Sequence, residues 1–194
     1  MSADKQPFFK TERGDTLNGN CHFIFGASVG ASLAMNIDKL DFFFPRIMDT
    51  PEMAVLFVMG GLLGGIFPDI DNPTSYVGKL TAPVSRWLGK VSAAMGKEGW
   101  NHRGILHDPI VYLIGLFLCT FQFTPLIGFF VGCLSHLFLD MFNPVGIPFL
   151  FGVKHLRLAK IPSSSKQAIT LTWIATGAVF FAGLAGCFYP ALLS

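Results

Sequence analysis

Five apolar runs, at about residues 22–37, 53–67, 109–122, 125–139 and 168–190, dominate the chain. Hydrophobic residues make up 52% of it, only 13% are charged and 21 are Phe, a balance too apolar for an ordinary soluble domain. The expected fold is an all-α, polytopic membrane helix bundle with about five apolar segments. A polar N-terminal tail, residues 1–20, leads into a single membrane-embedded helical domain over 21–194. The tail shows no apolar stretch ending in a small-residue cleavage site, so a removed signal peptide is not expected. Several runs are shorter than the roughly 20 residues of a full crossing, which leaves tilt, re-entry or extension through flanking residues open.

Charge placement sets the expected orientation. If the N-terminus is cytoplasmic and all five runs cross, the inside portions are 1–21, about 68–108 and about 140–167. Of the 14 basic residues, only Lys39 and Arg46 then fall outside, among Asp38, Asp41, Asp49 and Glu52. That bias follows the positive-inside rule and predicts a multi-pass membrane protein with a cytoplasmic N-terminus. With a net charge of only +2, nothing global points to nucleic acid.

Small residues recur at helical spacing in Gly26/Gly30, Gly60/Gly64, Gly61/Gly65 and Gly128/Gly132, a pattern that lets neighbouring helix backbones approach closely. None of these glycines follows a strand or leads into Gly-Lys-Ser/Thr, so a phosphate loop is not expected. The cysteines Cys21, Cys119, Cys133 and Cys187 form no CxxC pair and read as packing residues. From Pro83 onward, Val84, Trp87, Leu88, Val91 and Met95 share one side of a helix while Arg86, Lys90 and Lys97 share another. This predicts an amphipathic helix, either lying in the cytoplasmic interface or capping the bundle. The basic stretch Lys154 to Lys166 fits headgroup contact and the topology rule equally well.

On this topology the ionisable residues gather at one side. His22 opens the first run, Asp69 and Asp71 close the second, His102, Arg103, His107 and Asp108 precede the third, and His136 and Asp140 close the fourth. Ionisable groups at a membrane are functional suspects. His136 and Asp140, four apart, fall on one helix face. Asp69 and Asp71, between Pro68 and Pro73, aim the same way if that segment is extended. His102 and His107 converge only through a bend, which Asp108-Pro109 supplies. Mixed His and Asp donors suit zinc, manganese or iron better than magnesium or calcium. Seven such groups exceed the needs of one ion, so two ions sharing an aspartate are expected.

Each residue also has a plain structural reading. His22 alone would be a hydrogen-bonded histidine, Asp108 before Pro109 an N-cap, and Asp69 or Asp71 turn caps. Arg103 either neutralises a phosphate or obeys the topology rule, and His155 is interfacial. The His136/Asp140 pair resists such a reading, because burying both in an apolar helix is costly unless they are paired or metallated.

The order CHFIFG, GGLLGGIFPDIDNPTS, NHRGILHDP and GCLSHLFLDMFNPVGIPFLF resembles the YdjM-like family of membrane-bound, metal-dependent hydrolases, over about residues 21–152. The family pattern is approximately PDIDxPxS, HRGxTHS and SHLxLDxxTxxG after an early His. The resemblance implies an inner-membrane protein, a predicted hydrolase acting on phospholipids, and in some members association with the LexA repressor. On matching positions it implies that His22, Asp69, Asp71, His102, His107, His136 and Asp140 hold metal. This chain departs at Cys21, Asp108 and Asn143, where relatives commonly carry Thr, Ser and Thr, and keeps all seven donors.

The leading expectation is a metal-dependent hydrolase of phospholipase or lipid phosphatase type. Its divalent metal is zinc or manganese, with two ions expected. Its substrate is a lipid or lipid phosphate at the cytoplasmic leaflet. Arg103 would hold a phosphate oxygen, and Asp69 or Asp108 would act as general base. The alternatives are a metal-stabilised adaptor that recruits a cytosolic partner through its basic loops, and a metal or proton transporter. Transport would place the donors near the bilayer midplane; an adaptor would close the metal's coordination.

Overall fold

In the computed structural model, which describes residues 15–40, 50–94, 105–119, 124–151, 153–162 and 165–193, each of the five apolar runs forms a helix. These are α1 (Asp15–Met35), α2 (Pro51–Gly64), α5 (Pro109–Cys119), α6 (Ile127–Asp140) and α7 (Lys166–Leu193). Two further helices, α3 (Tyr76–Leu80) and α4 (Ala82–Ala94), lie between the second and third runs, and 3-10 turns occupy Phe67–Asp71 and Ile105–His107. Local chemistry sets the starts. Thr50 accepts a hydrogen bond from the Met53 amide ahead of Pro51 in α2, and Ser75 accepts one from the Gly78 amide in α3.

Helix α2 is sandwiched between α1 and α6, while α5 packs on α6 and α7 on α1. The glycine pairs make the sandwich possible. Gly61 and Gly65 meet α1, and a Cβ on Gly61 would lie 2.5 Å from the Gly26 carbonyl oxygen. Gly60 and Gly64 meet α6, and a Cβ on Gly60 would lie 2.6 Å from the Phe129 nitrogen. The close approach predicted from spacing is thus present on both sides of one helix. A core of Ile37, Met53, Phe57, Cys119 and Ile127 fills one end of the bundle, and a second of Tyr112, Cys133, Leu137 and Ile147 lies against the other. Cys119 and Cys133 are therefore packing residues, as expected.

Five full crossings are not what the described residues display. Two helical stretches, Pro51–Asp71 and Lys166–Cys187, are long and apolar enough to cross a bilayer. Helices α5 and α6 have 11 and 14 residues, about 16 and 21 Å at 1.5 Å per residue, short of a core about 30 Å thick. The start of α5 and the end of α6 lie at the same end of the bundle, where His107 Nε2 stands 3.5 Å from Asp140 Oδ2.

The fold is mostly helical, as expected, with a short hairpin besides: β1 (Ile147–Phe149) pairs antiparallel with β2 (Lys154–Leu156), Ile147 opposite Leu156. Gly146 enters the hairpin at φ 72°, a conformation glycine adopts without a Cβ penalty. Leu150 and Phe151 follow β1 at φ 55° and 54°, where a side chain costs roughly 1–2 kcal/mol each. In α4, Ser85 is buried, whereas Val84 and Trp87 are exposed, as are Tyr76 and Leu80 of α3. Of the apolar side expected of this segment, Val84 and Trp87 face away from the bundle while Leu88 and Val91 are half-buried; Met95 and Lys97 lie outside the described residues.

Candidate metal centre

Four chain segments deliver the polar cluster to one end of the bundle. His22 sits two turns into α1, Asp69 and Asp71 in the 3-10 turn after α2, His107 in the 3-10 turn before α5, and His136 and Asp140 in the last turns of α6. Pro68 fixes φ at the start of the first 3-10 turn, and Pro73 ends it by holding Asn72 extended at φ −96°, ψ 105°. Ser75 Oγ donates 2.7 Å to the Asp69 carbonyl, and Asn72 Oδ1 accepts from the Thr74 amide and hydroxyl. These bonds give the DNPTS segment its shape. Tyr112 pins the other turn by donating 2.6 Å to the Leu106 carbonyl.

The two aspartates of the PDID motif do not aim the same way. A 3-10 turn advances about 120° per residue, so positions two apart diverge by about 240°. Asp71 lies behind His107, with Oδ1 3.1 Å from Nδ1, and its Oδ2 accepts the Leu106 amide at 3.2 Å. Asp69 faces the cluster, with Oδ1 3.9 Å from His107 Nε2 and 3.8 Å from His136 Nε2.

Two hydrogen-bond acceptors fix the histidine tautomers. Asp71 Oδ2 accepts from His107 Nδ1 at 3.4 Å, and the Gly65 carbonyl accepts from His136 Nδ1 at 2.8 Å. Both Nε2 lone pairs are thereby left for the cluster, as at metal sites whose ligand imidazoles are held from behind. Asp140 Oδ2 stands 3.5 Å from His107 Nε2 and 3.7 Å from His136 Nε2. Its Oδ1 is 3.4 Å from His22 Nε2 and accepts the Asn143 amide at 2.7 Å. The rings of His22 and His136 stack at 3.9 Å.

These residues fit a divalent cation. Separations of 3.5–3.9 Å between ring nitrogens and carboxylate oxygens are too long for good hydrogen bonds. They lie near the edge of about 3.3 Å of a tetrahedron with bonds of about 2.0 Å. His136 Nε2 and His22 Nδ1 are buried without a hydrogen-bond partner, a costly arrangement for nitrogen in an apolar bundle. The groups His22, His136, Asp140 and Asp69, His107, His136 each bring their donor atoms within 4.8 Å of one another. His136 belongs to both groups, and Asp140 turns an oxygen to each side. The side chains of His22, His107, His136 and Asp140 are 1–3% exposed, whereas that of Asp69 is 22% exposed and forms the mouth.

A family model described as YdjM inner membrane protein matches residues 17–192, which include every residue of the cluster. The chain belongs to this family. Among YdjM relatives, Inner membrane protein YdjM of Escherichia coli (strain K12) and that of Shigella flexneri are each 31% identical over 98 residues. Each match covers 48% of this chain and 48% of the relative, so the chain spans about half the length of the curated relatives it matches. No solved structure matches the chain.

The sequence-predicted residues separate by role. His22, Asp69, His107, His136 and Asp140 converge. Asp71, expected as a ligand, instead orients His107. Asp108, expected as a possible base, has Oδ1 bonded to the Ile110 amide at 3.0 Å and Oδ2 to the Phe151 amide. It caps α5 and holds the strained turn after β1. His102 and Arg103 lie outside the described residues. The Gly65 carbonyl was not foreseeable, because backbone atoms carry no sequence signal; Asn143 carried one in its position three residues after Asp140.

Proposed function

We propose that this YdjM-family chain is a membrane-bound, metal-dependent hydrolase that cleaves a phosphoester of a lipid or lipid phosphate at the cytoplasmic leaflet. The observation that carries the reading is the convergence of His107 Nε2, His136 Nε2 and Asp140 Oδ2 in a buried site with the more exposed Asp69 at its mouth. Two imidazoles and one carboxylate are a familiar donor set of catalytic zinc. These three residues would hold the ion, zinc or manganese, with His22 and the second oxygen of Asp140 available to a second. When bound, the ion supplies Lewis acidity toward the phosphoryl oxygen and lowers the pKa of water.

The remaining work falls to the chain itself. Asp69 accepts the proton of the attacking water at Oδ1 and stays hydrated enough to release it. Asp71 and the Gly65 carbonyl hold the two imidazoles in place, and Asn143 holds Asp140. Leu137 and Tyr112 close the floor against bulk water. The exposed Tyr76, Leu80, Val84 and Trp87, with Lys79, Arg86 and Lys90 alongside, give α3 and α4 a membrane-facing surface beside the site. Basic residues at this end support a cytoplasmic placement.

Asp69 favours one second reading. As a fourth ligand it would close a tetrahedral site, and the ion would then be structural. The protein would act as an adaptor whose basic loops recruit a cytosolic partner, such as a LexA-type repressor. Transport gains no support, because the donors gather at helix ends.

Elemental analysis of detergent-purified protein, followed by hydrolysis assays on phospholipids and lipid phosphates, tests the proposal. The expected result is one or two zinc or manganese ions per chain, lost in His136→Ala and Asp140→Ala, with metal-dependent phosphate release. Failure to bind zinc, manganese or iron after loading would overturn it. Bound metal without hydrolysis of any such substrate would favour the adaptor.

A further inference from the structure

Helices α1 and α7 run side by side in the same direction, and they are stitched together at their C-terminal ends. Asn36 Nδ2 donates 2.9 Å to the Gly183 carbonyl, Cys187 Sγ donates 2.8 Å to the Met35 carbonyl, and Lys39 Nζ donates to the Gly186 carbonyl. Gly183 lets Ser32 approach closely. Between the N-terminal halves the two helices instead leave a cleft of about 220 Å³, lined by Asn20, Cys21, Ile24, Ile169, Thr172 and Trp173.

The cleft lies beside the candidate metal centre. A second, smaller pocket shares Cys21 and Thr172 with it and reaches His22 and Asn143. His22 stacks on His136, and Asn143 holds Asp140, so the inner pocket borders one donor, His22, and the residue that holds another. The wall makes little polar demand, because the Thr172 hydroxyl is satisfied by the Ala168 carbonyl at 3.0 Å. Helix α7 is one of the two candidate spans and carries exposed Ile174 and Phe181 on its outer surface, with Trp173 exposed at the rim of the cleft. Whatever enters between α1 and α7 from that side comes from the bilayer, where a hydrocarbon chain is the available apolar occupant.

Cys21 on α1 and Thr172 on α7 line both the cleft and the inner pocket, so the cleft lies level with His22. We infer that the α1/α7 cleft is an acyl-chain site that seats one tail of a membrane lipid with its phosphate end at the His22/Asp140 side of the cluster. This deepens the hydrolase reading and rests on it for the identity of the reacting end, while the tail site itself stands on the cleft. Substrate then arrives sideways from the membrane rather than from water.

The test uses the full chain in vesicles containing phosphatidic acid that carries a diazirine in one acyl chain. After illumination, the expected label concentrates on the half-buried Ile24 and Ile169 over the outward-facing Ile174 and Phe181. Thr172→Trp, which fills the junction, lowers the cleft label several-fold while metal content stays at the wild-type value. Ile169→Trp provides a second plug should the buried Thr172 position not tolerate the larger ring. Label spread evenly over the outer surface of α7, and unchanged in a folded plug variant, would overturn the inference. So would unaltered hydrolysis of long-chain phosphatidic acid in both plugs, a result that leaves the hydrolase reading standing. Cleft-specific label in a protein that neither binds metal nor hydrolyses lipid would refute that reading and retain the tail site.

Discussion

The Asp71 carboxylate stands 3.1 Å behind Nδ1 of His107 and also takes the Leu106 amide, so one buried side chain fixes both the ring and the turn that carries it. Removing its charge while keeping its shape separates orientation from ligation. Asp71→Asn is expected to weaken metal affinity about 10- to 100-fold with the fold intact. Competition of the purified protein against a chelator of known affinity measures this, and an unchanged affinity would remove Asp71 from the supporting shell.

Asp69 and Asp140 are expected to respond differently to the same change. Asp140→Asn should lose bound metal outright. Asp69→Asn should retain it and lose about 10²- to 10⁴-fold in rate, the usual range for a general base. Metal loss in Asp69→Asn equal to that in Asp140→Asn would instead mark Asp69 as a ligand. Metal content and single-turnover kinetics on the same preparations decide between them.

Asp108→Ala leaves the Ile110 and Phe151 amides without their carboxylate. Roughly 1–3 kcal/mol of stability should be lost, while bound metal is retained. Asp108→Ser should recover the helix cap but not the bond to Phe151, and so fall between the two. Thermal unfolding in detergent, with metal content as the second readout, checks the order.

Glycines of identical chemistry should split by position. A Cβ at Gly60 or Gly132 meets backbone of the facing helix within 2.6 Å, whereas Gly19 and Gly177 have nothing within 4 Å. Gly60→Ala and Gly132→Ala should destabilise by roughly 1–3 kcal/mol or more. Gly177→Ala should be neutral or stabilise by up to about 1 kcal/mol. Equal melting temperatures across the set would contradict the packing described.

Much of this arrangement was legible in the sequence because it depends on period. The glycine pairs lie three intervening residues apart, and His136 and Asp140 are one turn apart, so their faces follow from helix geometry alone. The PDID segment was not legible, since an extended and a 3-10 conformation place Asp71 on opposite sides, and Pro68 and Pro73 permit either. Helix length was less legible: hydropathy marks where lipid or core is contacted, and the described helices α5 and α6, of 11 and 14 residues, are shorter than a full crossing needs. The strands at 147–156 are three residues each, too short for alternation to show.

Where α2 meets α1 and α6, main chain rests on main chain, with no rotamer between them that can swing to take up slack. The candidate donors at the ends of these helices therefore inherit a spacing fixed by atomic radii, and under the metal reading proposed above the bundle would work as a caliper for ionic size. A methyl group inserted at Gly61 or Gly132 would open the caliper, and ion preference would move from zinc toward the larger manganese before the fold is lost.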